Sequence, residues 1–361
     1  MLRLLPLLLL FTLAHCKSTD STVENGTPTT TTTVTTEGKV INHEGGQRTI
    51  LLDSVAASEA IIIDRTDGFF DNIAIGDMSL QMRREPLESR ALQLAAYRDF
   101  LQKDVADFTP DEALFVTKVF KDAYERVRAF DPAFYPDQIR LVKTKGKHYG
   151  PSVYYTREDL IVIPTNELQK QDREPFTTTM LHEIFHVWSR YHPEKRKELY
   201  ALFGFTQELD PKPLRNVSAS EDFSSRLLLN PDGVNYNYAT QLPTAAGSTD
   251  STYAVPLLYT AEAGYTGKPG GFFGALQFAL FPIARKRGMW VVQEDAPINP
   301  YTSEAFMERI GKVTGYIIHP DEICADSFTF LVEAERNQAS LDKYTERGRM
   351  LLRRAGEIMK R

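Results

Sequence analysis

The chain has 361 residues, 42% of them hydrophobic and 25% charged, a globular composition that excludes fibrous and wholly disordered classes. Its net charge is −6, so no global basic field is present to recruit nucleic acid, and no nucleic-acid partner is expected. The length suits one large domain or two lobes around a cleft.

The opening stretch "MLRLLPLLLLFTLAHCKS" reads as a secretory signal. Arg3 supplies the positive start, and residues 4–13 form an apolar run too short to remain in a bilayer as a spanning helix. "LAH" before Cys16 resembles the lipobox of bacterial lipoproteins, with Leu13 and Ala14 in place and His15 departing from the usual small residue. The favoured reading is a protein exported to the bacterial cell envelope and held there by lipid on Cys16. The alternative is ordinary signal cleavage nearby, followed by secretion. The sequons at Asn25 and Asn216 leave a eukaryotic secreted origin open. The chain has two cysteines, Cys16 and Cys324. With Cys16 acylated, Cys324 has no disulfide partner, and the core, with or without a metal, must hold the fold; the less favoured alternative is that the two cysteines pair.

Residues 17–38 contain "STDSTVENGTPTTTTTVTTEG", with too few aliphatic or aromatic side chains to offset their ordering entropy, and read as a disordered tether. The globular domain is expected over 39–361. Residues 39–84 mix short apolar runs with turns and yield no firm assignment. Over 86–130 the spacing predicts helices, one of them opened by Thr109 as N-cap and Pro110 at its first position. Then "QIRLVKT", "SVYYTR" and "LIVIP" predict short strands of a small, mostly antiparallel sheet. "EPFTTTMLHEIFHVWSRY" returns to helical spacing through Leu181, Ile184, Phe185 and Trp188. Another helix follows from Pro193. Residues 205–300, rich in turn signals such as "NPDG" and "TGKPGG", read as a β- and loop-rich insertion. Helices resume after Tyr301, including "PDEICADSFTFLVEAE" and a basic tail whose charges suit a solvated face. The expected fold class is α+β.

The chemistry concentrates in "HEIFH". On a helix His182 and His186 lie one turn apart on the same face and can reach one cation, and imidazole nitrogen suits zinc. Glu183 projects toward the open coordination position. There it can take a proton from an activated water and pass it to a leaving amine. A helix face that carries His-Glu-His by coincidence is the bland alternative. The position of the motif, on a helix directly after a sheet in an exported chain, argues against it.

His182, Glu183 and His186 after "SVYYTREDLIVIP" resemble the zincin superfamily of zinc metallopeptidases, over roughly residues 135–335. The resemblance implies zinc-dependent hydrolysis of peptide bonds, with a metal-activated water and Glu183 as general base. It leaves the substrate undefined. The third ligand separates the branches. "HEIFHVWSRYH" puts His192 at the metzincin offset, but Ser189 stands where that branch has the glycine its turn needs. In "HPDEICADSF", Glu322 and Asp326 are one helical turn apart, as in the gluzincin branch. The resemblance then implies Glu322 as ligand and Asp326 as acceptor from a metal-bound histidine. Glu322 is favoured over His192, with Glu208 a third candidate. Tyr301, Tyr316, His319 and His148 are possible oxyanion donors, and nothing in the sequence chooses among them. The edge strand of the sheet is expected to bind an extended peptide by strand addition. A monomer is expected, with a peptide or protein substrate and membrane contact through the lipid alone. The rival readings are a non-catalytic surface-binding lipoprotein on a zincin scaffold and a hydrolase of cell-wall peptides.

Overall fold

A computed structural model describes residues 32–35, 37–209, 217–244, 248–267 and 271–361. The signal segment and Cys16 lie outside the described residues. The fold is α+β, and the described residues form two sheets.

The first sheet comprises β1 (Thr32–Thr35), β2 (Gly38–Asn42), β3 (Arg48–Leu52), β4 (Val105–Ala106), β5 (Gln138–Thr144), β6 (Tyr155–Arg157) and β7 (Leu160–Pro164). Its order is β1-β2-β3-β5-β7-β6, with β4 also paired to β5. The folded part starts before the expected boundary at Lys39, because Thr32–Thr35 pair antiparallel with residues 38–41. The threonines that look like a polar tether are β-branched and fit a strand once a partner is present. The central pairings β3·β5 and β5·β7 are parallel, while the flanking ones are antiparallel. The parallel pairs arise because long connections carry the chain back across the sheet, as parallel neighbours require.

Among the described residues six helices have ten residues or more: α1 (Arg90–Asp104), α2 (Pro110–Phe130), α3 (Arg173–Tyr191), α4 (Pro193–Leu202), α5 (Pro320–Arg336) and α6 (Glu346–Lys360). Helix α2 begins with a complete capping box, Thr109 accepting from the Glu112 N–H while Glu112 accepts from the Thr109 N–H. Strand alternation assigns the two faces of the first sheet. Ile139, Leu141, Ile161 and Ile163 pack into a core shared with α2, α3 and α5. Val142, Leu160 and Val162 point the other way, into a core shared with the second sheet. Helix α3, which carries the HEIFH motif, is central. It packs against α2 and α5, and Leu181, Ile184, Phe185 and Trp188 are all buried. No helix among the described residues is long and apolar enough to cross a membrane.

The stretch expected as a β- and loop-rich insertion holds the second sheet: β8 (Gln207–Glu208), β9 (Val217–Ser218), β10 (Leu227–Leu228), β11 (Tyr238–Pro243), β12 (Ser251–Thr260), β13 (Leu276–Lys286) and β14 (Met289–Val292). Its order is β8-β11-β12-β13-β14-β9, with β10 on β12. Leu227, Val255, Leu257 and Phe281 join the apolar face of the first sheet. The turn "NPDG" lies between β10 and β11 and reaches Glu322 on α5 and Thr156 on β6.

Candidate metal centre

The i, i+4 spacing on α3 brings His182 and His186 together edge to face, their ring centroids 4.7 Å apart. Facing them is the first turn of α5, which starts at Pro320 with His319 as N-cap. Glu322 Oε2 lies 3.0 Å from His182 Nε2 and 3.3 Å from His186 Nε2. The three ligand atoms all lie within 4.8 Å of one another, and the group can hold a metal ion. His186 and Glu322 are each about 1% exposed.

The other ring nitrogens are held by carboxylates from the same helix. His182 Nδ1 lies 3.0 Å from Asp326 Oδ1, and Asp326 also accepts from the Thr314 hydroxyl. His186 Nδ1 lies 2.7 Å from Asp321 Oδ2. With each Nδ1–H donated to a carboxylate, both Nε2 lone pairs face a carboxylate oxygen in a buried space. Three lone pairs so placed repel unless a positive charge sits among them. The pKa directions express the same demand. Burial alone would lower His182, yet the hydrogen bonds to Asp326 and Glu322 raise it to about 10. Burial likewise opposes the charged form of His186, but Glu322, Asp232 and Asp321 lift it well above the usual imidazole range. Burial would raise Glu322, and the two imidazoles instead hold it well below the carboxylate range.

Glu183 lines a cleft of about 370 Å³ together with His182, Asp232, Tyr316, Glu322 and Asp326. It is 5% exposed, and its Oε2 is buried without a hydrogen-bond partner. Burial, reinforced by the Asp232 carboxylate, pushes it up to about 8 against the pull of the two imidazoles. A carboxyl poised near neutrality suits proton transfer in both directions.

His192 is not at this centre. Its ring stacks on Trp188 at 4.5 Å and its Nδ1 pairs with the Trp188 carbonyl, at the junction of α3 and α4. Ser189 stays within α3, and its hydroxyl donates to Asp321 Oδ1 at 2.7 Å. The residue that looks like a defective turn glycine therefore helps hold the carboxylate behind His186. Glu208 lies in β8, at an end of the second sheet.

Of the four oxyanion candidates, Tyr316 alone lines the cleft, its ring 5.8 Å from that of His182. His148 is held between Asp104 and Tyr155. His319 accepts from the Asp321 N–H and pairs with the Asn235 carbonyl. Tyr301 packs near Phe278, and both it and Tyr316 are about half exposed.

Sequence reading misses three residues that the tertiary fold brings here. Asp321 accepts from His186, Ser189 and Tyr200, each at 2.7 Å. Asn230 donates to Glu322 Oε1 at 2.7 Å. Asp232 joins the cleft wall, its Oδ1 taking the Thr156 N–H and hydroxyl, both at 2.6 Å. The available signal was the "NPDG" turn itself. Its glycine permits close approach, since a Cβ on Gly233 would lie 2.2 Å from the His319 ring. Asp232 also limits strand addition at one position of the edge. The Thr156 N–H of β6 is already taken, so a peptide cannot pair with the edge at that residue.

Comparison of the chain with family models, with curated proteins and with solved structures finds no match.

Proposed function

We propose that this protein is a zinc-dependent peptidase of zincin type, with His182, His186 and Glu322 as the metal ligands. Two imidazole nitrogens and one carboxylate oxygen form a donor set suited to zinc, and three protein ligands leave a coordination position open. Tetrahedral zinc bonds of ~2.0–2.1 Å space their ligands by roughly 3.4 Å, close to the 3.0 and 3.3 Å between Glu322 Oε2 and the two Nε2 atoms. Zinc held there supplies Lewis acidity that makes hydroxide available near neutral pH.

The protein's own residues perform the proton transfers and fix the geometry. Asp321 and Asp326 keep the imidazole protons on Nδ1, so that Nε2 faces the centre. Glu183 takes a proton from the attacking water and returns it to the departing amine. The Tyr154 hydroxyl donates to Glu167, which leaves Tyr316 as the cleft phenol able to donate to the developing oxyanion. Exposed Phe273 and the rings of Tyr154 and Phe330 supply an apolar wall for substrate side chains.

The reading is carried by one observation: the convergent His182–His186–Glu322 cluster shares a cleft with Glu183, a buried carboxylate with an unpartnered oxygen. A pure binding scaffold has no use for that base. Export and lipid attachment through Cys16 belong to the same proposal, as does a peptide or protein substrate. The test is Glu183→Gln in the zinc-loaded protein. Zinc occupancy stays at wild-type level while cleavage of a broad peptide library falls by at least about 100-fold, the usual worth of a general base. Wild-type cleavage by this variant would refute the mechanism.

A further inference from the structure

Glu183 alone satisfies the need for a base, yet the cleft holds a further carboxylate, Asp232, to which no imidazole donates a hydrogen bond, although His186 acts on it through space. Asp326 is occupied by His182 and Thr314, and Glu322 by both histidines and Asn230. Asp232 is held through one oxygen only, by the Thr156 N–H and hydroxyl. The nearby Arg190 guanidinium pairs with Asp67 and the Glu158 carbonyl and donates to the Thr156 hydroxyl, so that it acts on Asp232 through space and not through a hydrogen bond of its own. Among the described residues lining the cleft, none is Lys or Arg.

A carboxylate beside the base has an electrostatic cost, because like charges in a water-poor cleft repel. The loop is nevertheless built to present it. Asn230 and Asp232 form a local turn, the Asp232 N–H donating to Asn230 Oδ1 at 3.3 Å, and Asn230 ties that turn to Glu322. The unpartnered, buried Oε2 of Glu183 marks the adjoining space as one that a ligand enters. The rim carries Phe273 and Tyr316, roughly half exposed, against which an alkyl stem or a cation can lie. A substrate carboxylate would find no Lys or Arg among the described lining side chains, which disfavours recognition of a free C-terminus.

We propose that Asp232 is the anionic floor of a substrate subsite that takes an ammonium or guanidinium group next to the scissile bond. The proposal rests on the peptidase reading. Its ligand chemistry has two sources, a free N-terminus or a Lys or Arg side chain.

The test uses the zinc-loaded full-length protein and matched quenched peptides, in which lysine alternates with norleucine and a free N-terminus with an acetylated one. Wild type prefers the cationic member, and Asp232→Asn, which keeps an acceptor for Thr156, lowers that preference by about 10- to 100-fold in the ratio of kcat/KM values. Loss of preference on acetylation identifies the terminal ammonium, and loss on norleucine substitution identifies the side chain. Equal cleavage of cationic and neutral peptides by wild type, or an unchanged ratio in Asp232→Asn, overturns the subsite while leaving the peptidase reading intact. A calorimetric titration of Glu183→Gln with L-lysine amide, repeated in Glu183→Gln with Asp232→Asn, reads binding without turnover. If no peptide is cleaved, the peptidase reading fails, and this titration still decides the subsite. Binding lost with Asp232→Asn supports it, and absent or unchanged binding overturns it.

Discussion

Replacing Asp321 by asparagine tests how the centre is held, without touching a ligand. Asp321 is 1% exposed and accepts three hydrogen bonds, from Ser189 and Tyr200 on Oδ1 and from His186 on Oδ2. Asparagine keeps one acceptor oxygen. If that oxygen stays with the two hydroxyls, the amide N–H faces His186 Nδ1 and drives the imidazole proton to Nε2, where a metal needs a lone pair. The opposite amide orientation deprives two buried hydroxyls of their acceptor and is costlier. Returning the proton to Nδ1 forfeits a hydrogen bond to a charged group, about 1.5–3 kcal/mol, which is roughly 10–150-fold in zinc affinity. Asp321→Ala is harsher. It strands three buried donors at about 1–3 kcal/mol each, a large share of the ~5–15 kcal/mol that stabilises a typical domain. Zinc affinity is measured by competition with a chromogenic chelator at neutral pH, with the thermal midpoint of the zinc-free protein as a folding control. The expected result for Asp321→Asn is a folded protein with weakened zinc binding. Wild-type zinc affinity in that variant would refute the assignment of Asp321 as the group that orients His186.

Three further outcomes are expected. Glu322→Ala lowers zinc affinity by more than the ~10–100-fold seen when only a ligand's hydrogen-bonding partner is lost, while His192→Ala, which removes a ring stacked on Trp188, leaves it nearly unchanged; chelator competition ranks them, and the reverse ranking would restore the metzincin assignment. Asp77 is buried, and burial raises it from 3.8 to about 7 against the hydrogen bonds from Gln81 and the Leu229 N–H. The folded state therefore binds the extra proton between those values, and stability falls by a few kcal/mol as pH rises through that window. Denaturant titrations across it show the decline, and Asp77→Asn, which cannot ionise, flattens it; an equal slope in both proteins would contradict this account. Cys16→Ser abolishes acylation, so membrane fractionation of the expressed protein shifts it to the soluble pool, and unchanged partitioning would remove the lipid anchor from the proposal.

Local order was legible because it depends on residues close in sequence. The four-residue spacing of His182 and His186 puts both on one helix face whatever surrounds the helix. Thr109 and Glu112 complete their capping box within a single turn. The short β-rich run "LIVIP" marks a strand, which its continuous apolar character lets the fold bury on both faces, and the α+β class follows from such segments. Tertiary structure decided what joins them. Glu322 meets His182 across 140 positions of chain, a closure that no local pattern encodes, so the sequence favours it over His192 only through Ser189 and the spacing to Asp326, and the contact itself comes from the tertiary fold. Parallel pairing at the centre of the first sheet depends on where the connections return, and the strand at Thr32–Thr35 depends on its hairpin partner. Ser189 reads as a missing glycine until Asp321 is beside it, and "NPDG" reads as a turn until the second sheet brings Asn230 against Glu322 and Asp232 into the cleft. The chemistry of a polar side chain is set by the partner it meets, and here those partners lie on α5 and the second sheet, far along the chain from the motif helix.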